Sequence, residues 1–204
     1  MTTLTAERHD SILLLRLASP DSYPRLTRPA WQSLGEQLTR GARDEAIRAI
    51  VLTGTDQAFA AGAELKEVST LTALEALRFS AMAQGWMSRI ERSPKPVVAA
   101  ICGWCLGGGL DLALACHLRL AATDAQFGHP GGVLGLVTGW GGTARLPRLV
   151  GWPRALELLT TGRTISATEA HAWHLVSEVL EPHALLDRAV ARARQIADLM
   201  DAGR

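Results

Sequence analysis

The chain reads Gly-Trp-Cys-Leu-Gly-Gly-Gly-Leu-Asp over residues 103–111, between two apolar segments. Val97–Cys102, just before this stretch, has the composition of a buried strand, and an apolar helical pattern begins at Leu110. A strand that turns through three glycines into a helix brings bare backbone N–H groups to the positive end of the helix dipole. Because glycine has no Cβ, a ligand can approach this main chain closely. The stretch predicts backbone donors that stabilise a developing oxyanion, or else a tight turn that lets a strand pack closely on a helix.

Length and composition are those of a globular protein with one large domain, or one domain and a small appendage. The chain has 204 residues, of which 48% are hydrophobic and 20% are charged. Its net charge is +1, from 21 basic and 20 acidic residues, so there is no basic stripe for nucleic acid. The N-terminus has no signal-peptide pattern, and no apolar stretch reaches the roughly 18 residues of a membrane span. We therefore expect a cytoplasmic protein with neither nucleic-acid nor membrane partners.

The cysteines are Cys102, Cys105 and Cys116. The first two have the Cys-x-x-Cys spacing of redox and metal sites, but no second pair follows to complete a four-cysteine zinc site. Glycines also separate the pair from the helix that a redox motif normally opens. The favoured interpretation is buried structural thiols, and the sequence implies no metal or redox cofactor.

Short apolar segments alternate with amphipathic ones, which indicates an α/β fold with largely parallel strands. The predicted strands are Ser11–Leu17 paired with residues 4–7, Ala49–Thr53, Val97–Cys102, Leu118–Ala122 and Val176–Leu180. The predicted helices are Arg28–Arg43, Leu71–Arg92, Gly109–Cys116, Gly142–Leu149, Arg154–Thr160, Ala167–Trp173 and Leu185–Met200. Ala58–Glu67 and Gly128–Gly142 are predicted to be loops. Ser166 and Glu169 have the spacing of a capping box at the start of one helix.

Five segments carry a family pattern in unbroken order: Ala58–Lys66 (Ala-Phe-Ala-Ala-Gly-Ala-Glu-Leu-Lys), Gly103–Cys116, Ala125–Pro130, Gly141–Leu146 and Leu159–Ala167. Together they resemble the crotonase superfamily, the enoyl-CoA hydratase/isomerase family, and the resemblance runs from about Ser11 to Leu180. It implies a spiral of repeated ββα units that binds acyl-coenzyme A thioesters. It also implies that an enolate or similar anion is stabilised at the thioester oxygen.

The resemblance assigns the oxyanion hole to the backbone N–H groups of Ala63 and Gly108, in agreement with the glycine turn. One such donor is typically worth about 10²–10³ in rate. The coenzyme A moiety is expected along Ala61, Ala63, Glu64, Leu65 and Lys66. The other predicted substrate contacts are Gly107, Gly108, Gly131 and Trp140, although Trp140 is equally compatible with a place in the core or in an interface.

Hydratases of this family carry two glutamates, and this chain has Asp111 at the position of one and Gly131 at the position of the other. An aspartate is one methylene shorter, so its oxygens lie roughly 1.5 Å further back. A displacement near 1 Å can cost about 10²-fold in a positioned reaction. Asp111 is therefore the sole catalytic acid/base candidate, and the sequence argues against two-glutamate hydration. The alternative role of Asp111 is an acid that complements the helix dipole.

Three arrangements are compatible with the missing second carboxylate. In the first, a water or small anion fills the space beside Gly131, as bicarbonate is thought to do in the dihydroxynaphthoyl-CoA synthase branch. That branch carries an aspartate where this chain has Thr138, so its cyclisation chemistry does not transfer. Alternatively, Asp111 alone catalyses a one-base reaction such as double-bond isomerisation. In the third arrangement His129 reaches the site from the neighbouring position, although a hydrogen bond that anchors its loop is the favoured role for His129.

The predicted function is an acyl-CoA-processing enzyme of the enoyl-CoA hydratase/isomerase type, a lyase or isomerase of fatty acid metabolism. One alternative is a catalytically silent acyl-CoA-binding paralogue. Another is an acyl-CoA isomerase, hydrolase or decarboxylase that uses Asp111 alone.

Residues 1–180 are predicted to form the crotonase-like spiral core, and residues 181–204 a truncated C-terminal helical segment. Relatives usually continue past the helix that corresponds to Leu185–Met200 into helices that cover the acyl pocket and build trimers. We therefore expect a homotrimer or hexamer formed through the spiral core, with the covering helices missing or supplied by a neighbour.

Overall fold

A computed structural model describes residues 1–202 as two β-sheets packed with helices. The strands are β1 (Thr3–His9), β2 (Ile12–Ala18), β3 (Ala49–Thr53), β4 (Ala58–Ala60), β5 (Val97–Ile101), β6 (Trp104–Leu106), β7 (Leu118–Ala122), β8 (Gln126–Gly128), β9 (Thr164–Ser166) and β10 (Glu178–Leu180). The helices are α1 (Arg28–Arg43), α2 (Leu65–Val68), α3 (Ala73–Glu91), α4 (Gly108–Ala115), α5 (Gly142–Val150), α6 (Trp152–Thr161), α7 (Ala167–Ala172) and α8 (Pro182–Ala202), with a 3₁₀ helix at Pro130–Leu134.

The strand order is β1-β2-β3-β5-β7-β10 in the larger sheet and β4-β6-β8-β9 in the smaller one. Pairing is parallel except between β1 and β2 and between β8 and β9. Strands β3, β5 and β7 of the larger sheet are each followed in the chain by a strand of the smaller sheet. Helices follow these strand pairs, so the ββα repeat is present and the predicted α/β class with largely parallel pairing is confirmed.

The central strands of the larger sheet are buried on both faces, which explains why β3 (Ala-Ile-Val-Leu-Thr) and β5 (Val-Val-Ala-Ala-Ile) are continuous apolar runs, whereas the edge strand β1 is exposed. One face packs against a core that contains Trp31, Phe59 and Phe127. The other face is covered by α8 through Leu185 and the small residues Ala189, Ala193 and Ala197. Their four-residue spacing places them on one side of the helix, so the backbone of α8 lies close to the sheet.

The main difference from the sequence prediction is the smaller sheet, whose strands β4, β6, β8 and β9 have three residues each. A three-residue strand is too short to produce a readable alternation of apolar and polar residues, so none of the four was predicted. Residues 58–67, predicted as a loop, contain β4 and the start of α2. The predicted loop 128–142 contains the 3₁₀ helix, and its last residue begins α5. Most other predicted elements are present with shifted ends.

The capping box predicted at the start of α7 is half correct. The Ser166 hydroxyl accepts a hydrogen bond from the backbone N–H of Glu169, at 3.2 Å. The Glu169 carboxylate does not complete the box, because it accepts hydrogen bonds from Arg163 at 2.7 and 3.2 Å. A charged donor outside the helix has therefore replaced the backbone N–H as the partner of Glu169.

The three thiols are free, with Cys105 and Cys116 buried and Cys102 half-buried. Burial raises the pKa of Cys116 to about 12 and that of Cys102 to about 11. Burial also raises the pKa of Cys105 well above its ordinary value. Because the thiolate is the form that binds metals and attacks disulfides, the burial of Cys105 and Cys116 suits structural thiols, as predicted.

Candidate active site

The glycine turn brings the start of α4 against the end of β4. Gly107, at φ 51° and ψ −119°, precedes the helix, and its N–H donates to the carbonyl of Gly128 at 2.9 Å. A Cβ on Gly109 would lie 2.2 Å from the carbonyl oxygen of Ala60. Only glycine therefore permits this separation, so the close packing predicted for the turn is present, and no side chain within residues 1–202 caps the start of α4.

Ala63 lies in the segment between β4 and α2, which runs beside this helix start. A Cβ on its neighbour Gly62, which has φ 96°, would lie 3.0 Å from the carbonyl oxygen of Leu106 and 3.5 Å from the backbone nitrogen of Gly108. The Gly62 carbonyl accepts a hydrogen bond from the Leu26 N–H at 2.8 Å, and Ala63 forms a parallel bridge with Leu26. The two segments that carry the predicted oxyanion donors are therefore held side by side.

Asp111 occupies the first turn of α4 and is fully buried. The hydroxyl of Thr138 donates a hydrogen bond to its Oδ2, and the Nε2 atom of His129 lies 3.0 Å from its Oδ1. The His129 contact has the distance of a hydrogen bond but not the angles, so both atoms lack a well-formed hydrogen bond within residues 1–202. We call Asp111, His129 and Thr138 the Asp111 cluster.

Gly142, the first residue of α5, closes the Asp111 cluster on another side. A Cβ at this position would lie 2.1 Å from Asp111 Oδ1 and 2.9 Å from His129 Nε2. The start of a helix favours a nearby negative charge, and the carboxylate lies near the starts of both α4 and α5. These two helix dipoles offset part of the cost of burying the charge.

A cavity of about 360 Å³ adjoins the Asp111 cluster. Its walls come from the residue before the 3₁₀ helix, the helix itself, the loop after it, α5 and α6: His129, Gly131, Gly132, Gly135, Leu136, Val137, Thr138, Thr143, Leu159 and Thr160. Two of these residues, His129 and Thr138, are also the polar contacts of Asp111. The cavity therefore lies beside the predicted position of the missing carboxylate, Gly131.

Trp140 is not among the residues that line this cavity, and it packs against the start of α4. Its ring meets Trp31 and Phe79 edge to face, with centroid separations of 5.3 and 5.4 Å. A Cβ on Gly108 would lie 2.1 Å from the ring. Trp140 is therefore a buried residue that backs the start of α4, as the core role left open by the sequence requires, and its predicted contact with the substrate stays a prediction.

The predicted coenzyme A residues lie at the surface next to Ala63. Leu65 and Lys66 are exposed, whereas Ala61, Ala63 and Glu64 are half-buried. The Glu64 carboxylate caps α2 by accepting a hydrogen bond from the Lys66 N–H at 3.3 Å. Lys66 is thus the exposed cation of this stretch.

Sequence reasoning missed two features of the site. It did not connect Thr138 with Asp111, because nothing in the local pattern around either residue indicates the other. It also missed the role of Gly142, for which the Gly141-Gly142 pair at the start of a helix was the available signal. For His129, whose favoured role was to anchor a loop, the structure places Nε2 against Asp111.

Comparison with known proteins shows that the chain belongs to the Enoyl-CoA hydratase/isomerase family, which it matches over residues 7–202. It is 39% identical over 181 residues to the crotonyl-CoA hydratase of Syntrophomonas wolfei, covering 88% of this chain and 70% of that protein. It is 43% identical over 169 residues to a probable enoyl-CoA hydratase of Bacillus subtilis, covering 82% of this chain and 66% of the relative.

Solved structures confirm the crotonase fold that the sequence motifs predicted. The crystal structure of an enoyl-CoA hydratase from Bacillus anthracis superimposes with a TM-score of 0.90 at 37% sequence identity. The match covers 95% of this chain and 76% of that chain. Within residues 1–202, no helix has both the length and the apolar character needed to cross a membrane.

Proposed function

We propose that the protein is an enzyme that converts acyl-CoA thioesters through an enolate, as an enoyl-CoA isomerase or hydratase. The backbone N–H groups of Ala63 and Gly108 hold the thioester oxygen, and Asp111 moves the proton. One observation carries this proposal: the Ala63 and Gly108 segments lie side by side, with the carboxylate of Asp111 in the first turn of the same helix. Family membership supports the substrate class.

The oxyanion hole lowers the barrier because charge develops on the thioester oxygen only as the reaction proceeds. When the carbon next to the thioester loses a proton, the electron pair of the C–H bond becomes an enolate whose negative charge lies on that oxygen. Two N–H donors and the dipole of α4 then stabilise the charge, at about 10²–10³ in rate per donor. Since the donors are backbone groups, the side chains at 63 and 108 matter through their size.

Asp111 is the base that takes this proton and the acid that delivers a proton to a different carbon. Delivery to the γ-carbon moves the double bond, which isomerises the substrate without any gain or loss of electrons. Isomerisation thus needs one carboxylate and no metal or redox cofactor. Hydration needs a second group to activate water, and Gly131 offers no side chain for that step. Isomerisation is therefore the reaction that the residues of this chain support best.

The relatives define the first substrates to offer. A relative is named a crotonyl-CoA hydratase, so short enoyl-CoA esters are the starting point. The exposed ammonium of Lys66, close to Ala63 in the chain, would meet the phosphates of coenzyme A. We further propose an assembly of three or six copies in the cytoplasm.

The experiment that tests the proposal follows the enoyl thioester absorbance while the purified protein receives crotonyl-CoA or a 3-enoyl-CoA. We expect turnover of at least the 3-enoyl substrate, and a loss of about 10²–10⁴-fold in the Asp111→Asn variant. Asparagine has nearly the same shape and keeps an oxygen for the Thr138 hydroxyl, but it cannot take up a proton. Binding of the CoA ester and the thermal unfolding midpoint serve as controls for folding.

A catalytically silent acyl-CoA-binding protein is the second candidate, and the missing side chain at Gly131 favours it. The two candidates give opposite results in the same experiment. Tight binding of CoA esters without turnover of either substrate supports the silent protein, as does turnover that Asp111→Asn leaves unchanged.

A further inference from the structure

We propose that His129 transfers protons between the buried carboxylate of Asp111 and water in the cavity beside Gly131. This inference rests on the proposed function, because it concerns the proton that Asp111 removes from an acyl-CoA. His129 acts through Asp111, so it is a positioning and proton-transfer residue that does not contact the substrate. It would supply the second proton-exchanging group that relatives obtain from a second glutamate.

The side chains of His129 and Asp111 face each other at the distance of a hydrogen bond. Nε2 of His129 and Oδ1 of Asp111 are 3.0 Å apart, and both atoms lack a well-formed hydrogen bond within residues 1–202. The His129 side chain is 4% exposed and that of Asp111 1%. Buried polar atoms normally have a hydrogen-bond partner, and a change in angle at this 3.0 Å contact would give each of the two atoms the other as its partner. A proton shared between them would satisfy both.

The cavity beside Gly131 is reached from Asp111 through its neighbours in the cluster. Asp111 is fully buried and is not among the residues that line the 360 Å³ cavity, whereas His129 and Thr138 are. Thr138 already donates its hydroxyl proton to Oδ2 and cannot accept one from a carboxylate in that orientation. His129 is therefore the residue of the cluster that can connect Asp111 with the cavity.

The other groups next to Asp111 are less suited than the imidazole of His129 to carry a proton to the cavity. Burial, and to a smaller extent the charge of Asp111, raises the pKa of the Cys105 thiol well above its ordinary value, so this thiol stays protonated. Gly142 carries no Cβ, and a Cβ there would occupy the space beside Oδ1 and Nε2. Imidazole is the side chain that most readily gains and loses a proton near neutral pH.

The proton balance is simple. Asp111 takes a proton from the acyl carbon, and the C–H electron pair becomes the enolate. The proton passes from Oδ1 to Nε2, and the imidazolium then gives up a proton to water in the cavity. A proton from water returns by the reverse route to reprotonate carbon. The hydrogen that ends on carbon therefore comes from solvent, and no electrons are exchanged with any partner.

The test is deuterium uptake into acyl-CoA esters in heavy water, measured by mass spectrometry. The wild-type protein is expected to exchange the hydrogens next to the thioester and to place solvent deuterium in the isomerised product. In His129→Gln we expect exchange to fall by about 10²-fold, because a step of acid–base transfer is lost. Any product that still forms is expected to retain substrate hydrogen, since Asp111 then returns the proton it took.

A second variant separates proton transfer from packing. In His129→Gly, added imidazole is expected to restore exchange, whereas pyrazole, a ring of the same shape but a far weaker base, is not. His117→Gln is the matched control, since His117 accepts a hydrogen bond from the Val97 N–H at 2.9 Å and lies outside the Asp111 cluster. It is expected to lower the unfolding midpoint without changing the source of the hydrogen.

The outcomes distinguish this inference from the proposed function. If the wild-type protein exchanges no hydrogen in any acyl-CoA, the enolate proposal fails and the role of His129 fails with it. If the wild-type protein exchanges hydrogen and the folded His129→Gln variant does so equally fast with the same solvent label, only the role of His129 is overturned. Equal restoration of His129→Gly by imidazole and pyrazole overturns it as well, because space filling would then suffice.

Discussion

The carboxylate of Asp111 is surrounded by residues from later in the chain, namely His129, Thr138 and Gly142. His129 and Thr138 place polar atoms next to the carboxylate, and Gly142 leaves room for it because glycine has no side chain. A buried carboxylate is costly without partners, and the Thr138 hydroxyl and two helix starts offset part of that cost. Each of the three positions can therefore be tested by a single substitution.

Gly142→Ala tests whether the space beside Asp111 matters. The new Cβ would lie 2.1 Å from Oδ1, so carboxylate and imidazole must move apart. We expect turnover to fall by about 10²-fold, the cost typical of a 1 Å misplacement. Overpacking is expected to lower stability by about 1–3 kcal/mol. Steady-state kinetics and denaturant unfolding measure the two effects.

Gly85→Ala is the control for that substitution. Gly85 lies inside α3, and a Cβ there would meet no other atom within 4 Å. We expect unchanged turnover and a stability gain of about 1 kcal/mol, because alanine is the better helix former. Wild-type turnover in Gly142→Ala would contradict the importance of the close approach.

Gly131→Glu tests the predicted position of the second carboxylate, with Gly131→Ala as the control that adds a Cβ without a charge. The Cβ would lie 3.0 Å from the carbonyl oxygen of Leu136, so a small shift of that loop accompanies both variants. We expect the glutamate variant to hydrate crotonyl-CoA at least about 10²-fold faster than the alanine variant, the lower bound for a positioned general base. Equal rates would show that position 131 does not face the substrate.

Helices α6 and α7 and strand β9 are joined by Arg163. Its guanidinium bonds to Glu157 on α6 at 2.6 Å and to Glu169 on α7 at 2.7 Å. Strand β9, which begins after Arg163, pairs antiparallel with β8 at the edge of the smaller sheet, and α6 contacts the 3₁₀ helix that lines the cavity. Partly exposed ion pairs are typically worth about 0.2–1 kcal/mol, so the effect on stability is modest.

The pH dependence of the free energy of unfolding reports on the ion pair between Arg163 and Glu169. The hydrogen bond from Arg163 lowers the pKa of Glu169 below its ordinary value of 4.5. A carboxyl whose pKa is lower in the folded state stabilises the fold above the unfolded pKa, and this contribution is lost as the pH falls through the folded pKa.

We therefore expect Glu169→Gln to unfold at most about 2–4 °C below the wild type at pH 7, as a loss of up to about 1 kcal/mol implies. This difference should shrink once the pH falls below 4.5. Thermal unfolding followed by circular dichroism between pH 7 and pH 3 measures it. A difference that stays constant over this range would show that the charge of Glu169 does not contribute.

At the scale of the whole molecule, a group of apolar side chains is exposed to solvent near the cavity. They follow or belong to the 3₁₀ helix, and Val133 and Val137 are 71% and 83% exposed. Globular proteins rarely leave a large contiguous apolar patch uncovered, so such a surface suits contact with an acyl chain or with another subunit.

Assembly is the prediction that belongs to this level. The family resemblance leads us to expect three or six copies, and sedimentation equilibrium at micromolar concentration measures the number directly. A concentration-independent monomer mass would contradict it. A Val137→Asp variant that stays trimeric would place this apolar surface outside the subunit contact.

The core strands and the glycine turn were predictable because their signals are local. A continuous apolar run such as Val97–Cys102 indicates a buried strand, and three glycines before a helix indicate a close backbone approach. The strands of the smaller sheet were not predictable, because three residues carry too little pattern. In the same way, nothing near Asp111 in the chain indicates Thr138 or Gly142, and the sequence offered His129 only as one of three arrangements.

The amino-acid order of this chain specifies its fold class, its family and the loop and helix start that carry the predicted oxyanion donors. All of these depend on local signals, namely the backbone conformations that glycine allows and the spacing of apolar residues along the chain. The groups that surround Asp111 were set by the tertiary packing alone. They come from the residue after β8, from the following loop and from the start of α5, and these segments meet the start of α4 only when the sheets and helices pack together. A side chain's environment is a property of that three-dimensional packing, and no local sequence pattern encodes it.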